Sequence, residues 1–314
     1  MRLIIGSRGS KLALWQAHWV RDQLTSAGYE IEIRIIKTTG DNLQAVAPGE
    51  PLPASMAQTV AEAGSKGLFI KEIEEALLAR EIDVAVHSLK DLPTVQPAGL
   101  VLSAVPQRED ARDVFLARNG QSLENLPPGA RVATSSPRRQ TQLRALCSDL
   151  VYVAIRGNLD TRLRKLERGD CEALVLAAAG VHRLGLSEHI TGYFSFDQMC
   201  PAVGQGALGI EIRADDARAR DAVAHLDDPA THQAVRAERA VLRHLGGGCQ
   251  VPIAAHAIVE SGLMQLRGLV ANLDGTRLIH AQTKGPASDA ETLGATVAED
   301  LLRQGAREIL DTIK

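Results

Sequence analysis

Apolar and polar positions divide the chain into short strand-like runs and longer stretches of helical spacing. Leu3-Ile4-Ile5 is an apolar run and predicts a strand. After Gly6-Ser7-Arg8-Gly9-Ser10, the spacing of Leu12, Trp15, Trp19 and Leu24 predicts a helix over 11–27, with Ser10 as its N-cap. Residues 30–37 alternate and predict a second strand. Residues 38–65 carry Pro48, Pro51 and Pro53 with little periodicity. A loop of that length is uncommon in a compact domain and is often functional or mobile. Lys66-Gly67-Leu68-Phe69 leads into a helix ending near Arg80, with Phe69 as a staple on that helix or, less commonly, a lid over a ligand. Ile82 to Ser88 is almost continuously apolar, as a buried parallel strand should be. It runs into Leu89-Lys90-Asp91-Leu92-Pro93. Leu100 to Val105 predicts another strand.

The charged stretch Gln107 to Arg112 reads as a hinge, and a second α/β unit follows it. Strands are expected at 113–116, 131–133, 151–155 and 173–176, with helices after the last three. A Gly-punctuated turn, Pro201-Ala202-Val203-Gly204-Gln205-Gly206, leads to an apolar strand ending at Ile212 that crosses back to the first unit. From Asp215 the chain is polar and reads as a linker. A helix over 229–245 opens a third part. It continues with strands at 253–259, 264–270 and 278–283, hairpin turns at Ser261-Gly262 and Asp274-Gly275, and a helix over 287–304. The fold class is α/β in three domains: 1–106 with 207–224, 112–200, and a small C-terminal α+β domain, 229–314.

Composition narrows the function. The 314 residues are 45% hydrophobic and 23% charged, an ordinary soluble balance. A net charge of −3 and only 3% aromatic residues argue against nucleic-acid binding. No run approaches membrane-spanning length, and the first residues read as a strand rather than a signal core, so a cytoplasmic location is expected. Cys147, Cys171, Cys200 and Cys249 show no metal-binding spacing.

Three features carry candidate chemistry. Lys90 and Asp91 sit just past a strand end, where ligands bind in open α/β sheets. The segment 131–183 holds nine Arg and one Lys against five Asp or Glu. In it, Thr134-Ser135-Ser136-Pro137-Arg138-Arg139-Gln140 places hydroxyls and a proline at a helix start, which favours an anion. Two arginines in a first turn oppose the helix dipole, so a structural reason for them is weak. Gly6 to Ser10 is an anion site of the same kind or an ordinary capped turn, with equal weight. The third feature is Gly246-Gly247-Gly248-Cys249, a thiol just past a helix end with almost no bulk around it. Taken alone, it reads as a Gly-rich cap with an incidental cysteine; the other motifs reverse that.

Together these stretches resemble the porphobilinogen deaminase family. The matching segments are Gly6 to Ser10 with Leu12 to Gln16, Gly67 to Phe69, Val86 to Asp91, Thr134 to Gln140, Arg156 to Arg162, Pro201 to Gly206 and Gly247 to Pro252, in order along the chain. The resemblance implies two domains like type II periplasmic binding proteins plus the small third domain, in a monomer. It implies a transferase that joins porphobilinogen units with loss of ammonia, primed by a dipyrromethane held through a thioether to Cys249. By similarity Asp91 is the catalytic acid. Lys90, Asp91, Ser136, Arg138, Arg139, Arg156 and Gly157 would bind the cofactor. Arg8, Ser10, Gln16, Lys66, Phe69, Arg156, Arg162 and Arg183 would bind substrate. No metal is implied. The residue types suit the chemistry, since Arg forks onto carboxylates and never deprotonates. A non-enzymatic binding protein for a polyanion would explain the arginines, but not Cys249, nor a second negative charge at Asp91.

Overall fold

The structure is a computed structural model that describes residues 1–41, 69–246 and 251–313. The chain forms two compact units, one of Met1–Gln107 with Ala207–His232, the other of Arg108–Gly206 with Gln233–Lys314.

The first unit is built on a five-stranded sheet. Its strands are β1 (Arg2–Ser7), β2 (Glu30–Ile35), β3 (Val84–Ser88), β4 (Leu100–Ala104) and β10 (Leu208–Arg213), in the order β2-β1-β3-β10-β4. β1 runs parallel to β2 and β3; β10 runs antiparallel to β3 and β4. The expected return of the chain after Gly206 is therefore seen as a strand inserted next to β3. Alternation along the strands sorts the two faces. Leu3, Ile5, Val84, Val86, Ile210 and Ile212 pack against α1 (Lys11–Ser26) and α6 (Ala217–Val223). Ala85 and Ile82 pack with Ile73, Ala76 and Leu77 of α2 (Lys71–Leu78) on the other face.

α6 corrects the linker expected from Asp215. Its residues look polar, but Ala219, Ala222 and Val223 are small enough to bury on the sheet. Asp216 caps it by accepting from the Ala219 amide, a signal present in the sequence but masked by the surrounding arginines.

The second unit repeats the order. β5 (Asp113–Ala117), β6 (Arg131–Ala133), β7 (Val151–Val153), β8 (Ala173–Ala177) and β9 (Gly192–Tyr193) lie as β7-β6-β8-β5-β9. β6 is parallel to β7 and β8, and β5 is antiparallel to β8 and β9. α3 (Pro137–Leu146) covers one face through Leu143. α4 (Leu159–Arg168) and α5 (Ala178–Arg183) cover the other through Leu163, Leu166 and Val181. β9 has two residues and was invisible to any periodicity.

The same unit carries the antiparallel sheet β11 (Ile253–Glu260), β12 (Leu263–Ala271) and β13 (Leu278–Pro286). One face packs on α7 (Pro229–Leu245) and α8 (Ala290–Arg303), and α9 (Ala306–Asp311) closes the core. Glu238 of α7 is fully buried and accepts from the Gly204 and Ala257 amides and from Arg108, so its charge is dispersed over several donors. Gly206, at φ +85°, is a position only glycine fits: a Cβ there would lie 2.3 Å from the Glu109 carbonyl oxygen.

Candidate active site

In the first unit the candidates gather around the end of β3 and the start of α1. Ser10 has extended backbone angles and its hydroxyl accepts from the Ala13 amide at 3.3 Å, so it caps α1 as expected. One turn on, the buried Gln16 donates from Nε2 to the Ser88 hydroxyl at 2.8 Å. That bond ties α1 to the last residue of β3. A single 3-10 turn, Leu89–Asp91, follows. Leu89 is buried and its amide donates to the Ala207 carbonyl. The backbone of the turn is thus anchored on both sides while Asp91 stands exposed beyond it. Lys90 is half-buried on the same turn.

Arg8 is held differently from the expectation of a waiting anion site. Its guanidinium donates to Asp41 at 2.5 and 3.1 Å and lies 4.0 Å over the ring of Phe69. Burial pushes the Asp41 carboxyl up, but Arg8 and the Thr38 hydroxyl outweigh it and hold the group below its ordinary range. Phe69 therefore packs under a cation rather than acting only as an apolar staple.

In the second unit the candidates lie at the carboxyl ends of β6, β7 and β8, adjacent strands of one sheet. Pro137 occupies the first position of α3, as expected, but the Ser136 hydroxyl makes no capping bond. The neighbouring Ser135 hydroxyl instead clamps β6 to the end of β7: it donates to the Ile155 carbonyl at 2.6 Å and accepts from the Ile155 amide at 2.8 Å.

Arg138 and Arg139 do have a strong structural partner, which corrects the sequence argument against one. Both are buried and both bind Asp113, the first residue of β5. Arg138 donates to the two Asp113 oxygens at 2.8 and 3.2 Å, and Arg139 donates to one at 2.8 Å. Gln205 adds a bond at 3.0 Å. Burial alone would raise the Asp113 carboxyl, but the two guanidiniums overcome this and hold it at about 2. The sequence hid this because β5 runs antiparallel to β8, with Asp113 opposite Ala177. An acid opening an apolar strand thereby arrives at the strand ends that carry the arginines. Arg138 also donates to the Cys200 carbonyl, yet its Nε is buried with no partner among the described residues.

Arg156 is exposed just past β7. Gly157 has φ +110°, and Arg162 reaches back to its carbonyl at 2.8 Å. Arg183 is buried and donates to the Gly206 carbonyl at 2.7 Å. Burial, partly offset by Glu109, lowers it to about 10. Lys66 and Cys249 lie outside the described residues.

A family model described as porphobilinogen deaminase, dipyromethane cofactor binding domain, matches residues 3–221, and one for the porphobilinogen deaminase C-terminal domain matches 232–303. The chain belongs to the porphobilinogen deaminase family. It is 50% identical to the porphobilinogen deaminase of Desulforudis audaxviator, covering 99% of this chain and 98% of that one. It is 49% identical to that of Geobacter sulfurreducens, covering 98% and 94%. Among solved structures, a periplasmic substrate-binding protein of an ABC transporter from Coxiella burnetii aligns with TM-score 0.42 at 15% identity, covering 75% of this chain and 96% of that one.

The matched family domain binds a dipyromethane cofactor, and the donor set of the second unit would suit such a group if it carries carboxylate arms. The Arg138 Nε is a buried cationic donor with no partner among the described residues once Asp113 is bound. Gly157 removes side-chain bulk beside the exposed Arg156, and its positive φ turns the strand end sharply.

Proposed function

We propose that this chain condenses four porphobilinogen molecules head to tail into the linear tetrapyrrole hydroxymethylbilane, releasing ammonia at each addition. The presentation of Asp91 carries this reading: an exposed carboxylate on a turn whose strand is pinned by Gln16 and whose own backbone is pinned by Leu89. The chemistry a bound dipyrromethane supplies is that of a primer, an electron-rich ring carbon held through a thioether to Cys249.

The chain's own residues do the rest. Loss of ammonia from the aminomethyl group of a substrate leaves positive charge on its pyrrole. Asp91 is the fixed negative group that stabilises this charge, and preorganised charge of that kind is often the largest catalytic contribution. Its carboxylate also takes or passes the proton lost from a ring carbon. Each substrate brings an acetate and a propionate. Arg156, Arg162 and Arg183, with the remaining donors of Arg138 and Arg139 and with Ser136, are assigned to these arms and to those of the primer. Lys90, Arg8, Ser10, Gln16, Lys66 and Phe69 complete the assignment. The same reading gives one domain to each of the three sheets and places a monomeric enzyme in the cytoplasm, where its thiols stay reduced.

Incubation with porphobilinogen, followed by detection of the linear tetrapyrrole, tests the activity. Intact-mass measurement of the purified protein should show one dipyrromethane adduct, absent from Cys249→Ala. Cys147→Ala, Cys171→Ala and Cys200→Ala should keep both adduct and turnover. An active protein without any adduct would overturn the reading.

A further inference from the structure

Behind the Asp91 turn lies a cluster of ionisable groups to which the reaction gives no role. His87 and Glu211 are buried and meet at 3.1 Å, Nε2 to Oε2. Register explains the meeting: Glu211 of β10 lies opposite Ala85, and Gly209 lies opposite His87. His87, Ala85 and Glu211 therefore share the face of the sheet that α2 covers. Glu74 lies on α2, the helix that packs on this face through Ile73, Ala76 and Leu77. Two oxygens in this cluster, Glu74 Oε1 and Glu211 Oε1, are buried without a hydrogen-bond partner among the described residues. Unpaired buried oxygens are rare enough to need a reason.

The surrounding charges do not neutralise the pair. On α2, Glu72 accepts from the Thr39 amide and hydroxyl at 2.7 and 2.6 Å, and Glu75 is exposed and faces Lys71. On β10, Arg213 spends its guanidinium on the Leu77 and Ile82 carbonyls, Asp83 and Asp216. Among the described residues, none of these contacts brings a guanidinium or an ammonium group to Glu74 and Glu211. Two ionised carboxylates there would repel each other in a medium far less screening than water.

We propose that Glu74, Glu211 and His87 form a buried proton-holding joint that positions the end of β3 and hence the turn bearing Asp91. His87 is followed directly by Ser88, which takes the Gln16 bond, and then by the turn itself. A shift of β3 against β10 or α2 is passed to Asp91 through three residues of continuous backbone. Glu74 and Glu211 are positioning residues in this account, and the positioning claim rests on the reading that Asp91 is the acid of the reaction.

Burial first, and then Glu211, raise the Glu74 carboxyl to about 7 from an ordinary 4.5, partly offset by His87. The sign of the linkage follows. The folded state holds this proton more tightly than the unfolded chain does. The stabilisation is therefore complete below about 4.5 and is lost as pH rises to about 7. Glu74→Gln carries the neutral form at every pH. Its melting temperature should exceed that of the unsubstituted protein at pH 8 and match it near pH 4.5. Glu75→Gln, on the exposed side of the same helix, should track the unsubstituted protein at both. An equal difference at the two pH values, or the same gain in Glu75→Gln, would show that Glu74 holds no special proton.

Glu211→Gln tests positioning. It keeps the shape of the side chain and replaces the carboxyl group beside His87 with an amide. Turnover of porphobilinogen should fall about tenfold, within the range of a misplaced catalytic group, with KM nearly unchanged at a temperature where the variant is fully folded. Unchanged kcat, or a rise in KM alone, would overturn the positioning claim. Asp91→Asn run in the same assay separates the two layers. If Asp91→Asn turns over normally, the reading of Asp91 has failed, whatever the melting temperatures show. If it is inactive while Glu211→Gln is normal, only the joint has failed.

Discussion

The two five-stranded sheets have the same strand order but solve one problem in opposite ways. Each inserts an antiparallel strand beside its third parallel strand, and each of those strands carries a fully buried carboxylate: Glu211 on β10 and Asp113 on β5. Asp113 is surrounded by two guanidiniums and an amide, and is held at about 2. Glu211 meets an imidazole and another carboxyl, Glu74, which is pushed up to about 7. The second sheet thus stores a fixed ion cluster and the first a titratable one. The inserted strand buries an acid in both, Asp113 opposite the last residue of β8 and Glu211 within the sheet opposite Ala85. The partners available, not the topology, decide whether that acid stays charged.

The largest effect expected from this contrast is loss of the Asp113 cluster. Asp113→Asn leaves two buried guanidiniums facing a neutral amide. Removing one partner of a buried ion pair costs about 3–5 kcal/mol, readable as a shift in urea midpoint with an unchanged slope. The acid sensitivity has a definite sign. The Asp113 carboxyl is depressed in the folded state, so its contribution is present above an ordinary carboxyl value of 3.8 and is lost as pH falls toward about 2. A protein whose acid unfolding is the same with and without Asp113 would break the comparison.

Next comes Asp91→Asn. The side chain is exposed and the turn is held by its backbone, so stability should hold within ~0.5 kcal/mol. Turnover should fall about 10²-fold or more, the scale of a lost electrostatic group. The pairing of effects matters more than either one alone. Asp113 is buried and bonded to the arginines, so its loss should be read in folding; Asp91 is exposed, and on the proposed reading its loss should be read in rate. Comparable losses of stability in the two variants would blur that division.

These contrasts were unevenly legible in the sequence. Strand and helix periodicity places most elements to within a few residues, because the central strands are almost continuous apolar runs, the C-terminal strands bury one face and the helices bury one stripe. The return strand β10 was legible from its apolar run, and the Asp91 turn from Leu-Pro after a strand. What escaped was whatever depends on register. Nothing local to Asp113 reveals that β5 runs antiparallel beside β8, so the partner of Arg138 and Arg139 stayed hidden and the pair looked purely functional. Glu211 sits in the apolar run Leu208-Gly209-Ile210-Glu211-Ile212, and nothing in that run says what lies over its side chain. Only the cover of α2 shows it to be buried. α6 escaped because alanines bury without announcing a hydrophobic stripe.

The smallest effects compare the two strand-end clamps, Gln16 to Ser88 and Ser135 to Ile155. Ser88→Ala removes the acceptor for an amide on the buried Gln16. An unsatisfied buried donor costs about 1–3 kcal/mol. Ser135→Ala removes two bonds, but Ser135 is exposed and water can take over at least one. It should cost about 0.5–1.5 kcal/mol, the net worth of an ordinary hydrogen bond. Counting bonds alone would predict the reverse order. Chemical denaturation of the two single variants distinguishes these expectations. A larger loss from Ser135→Ala would mean that the end of β7 excludes water, and that the arginine-bearing sheet is held as rigidly at its rim as at Asp113.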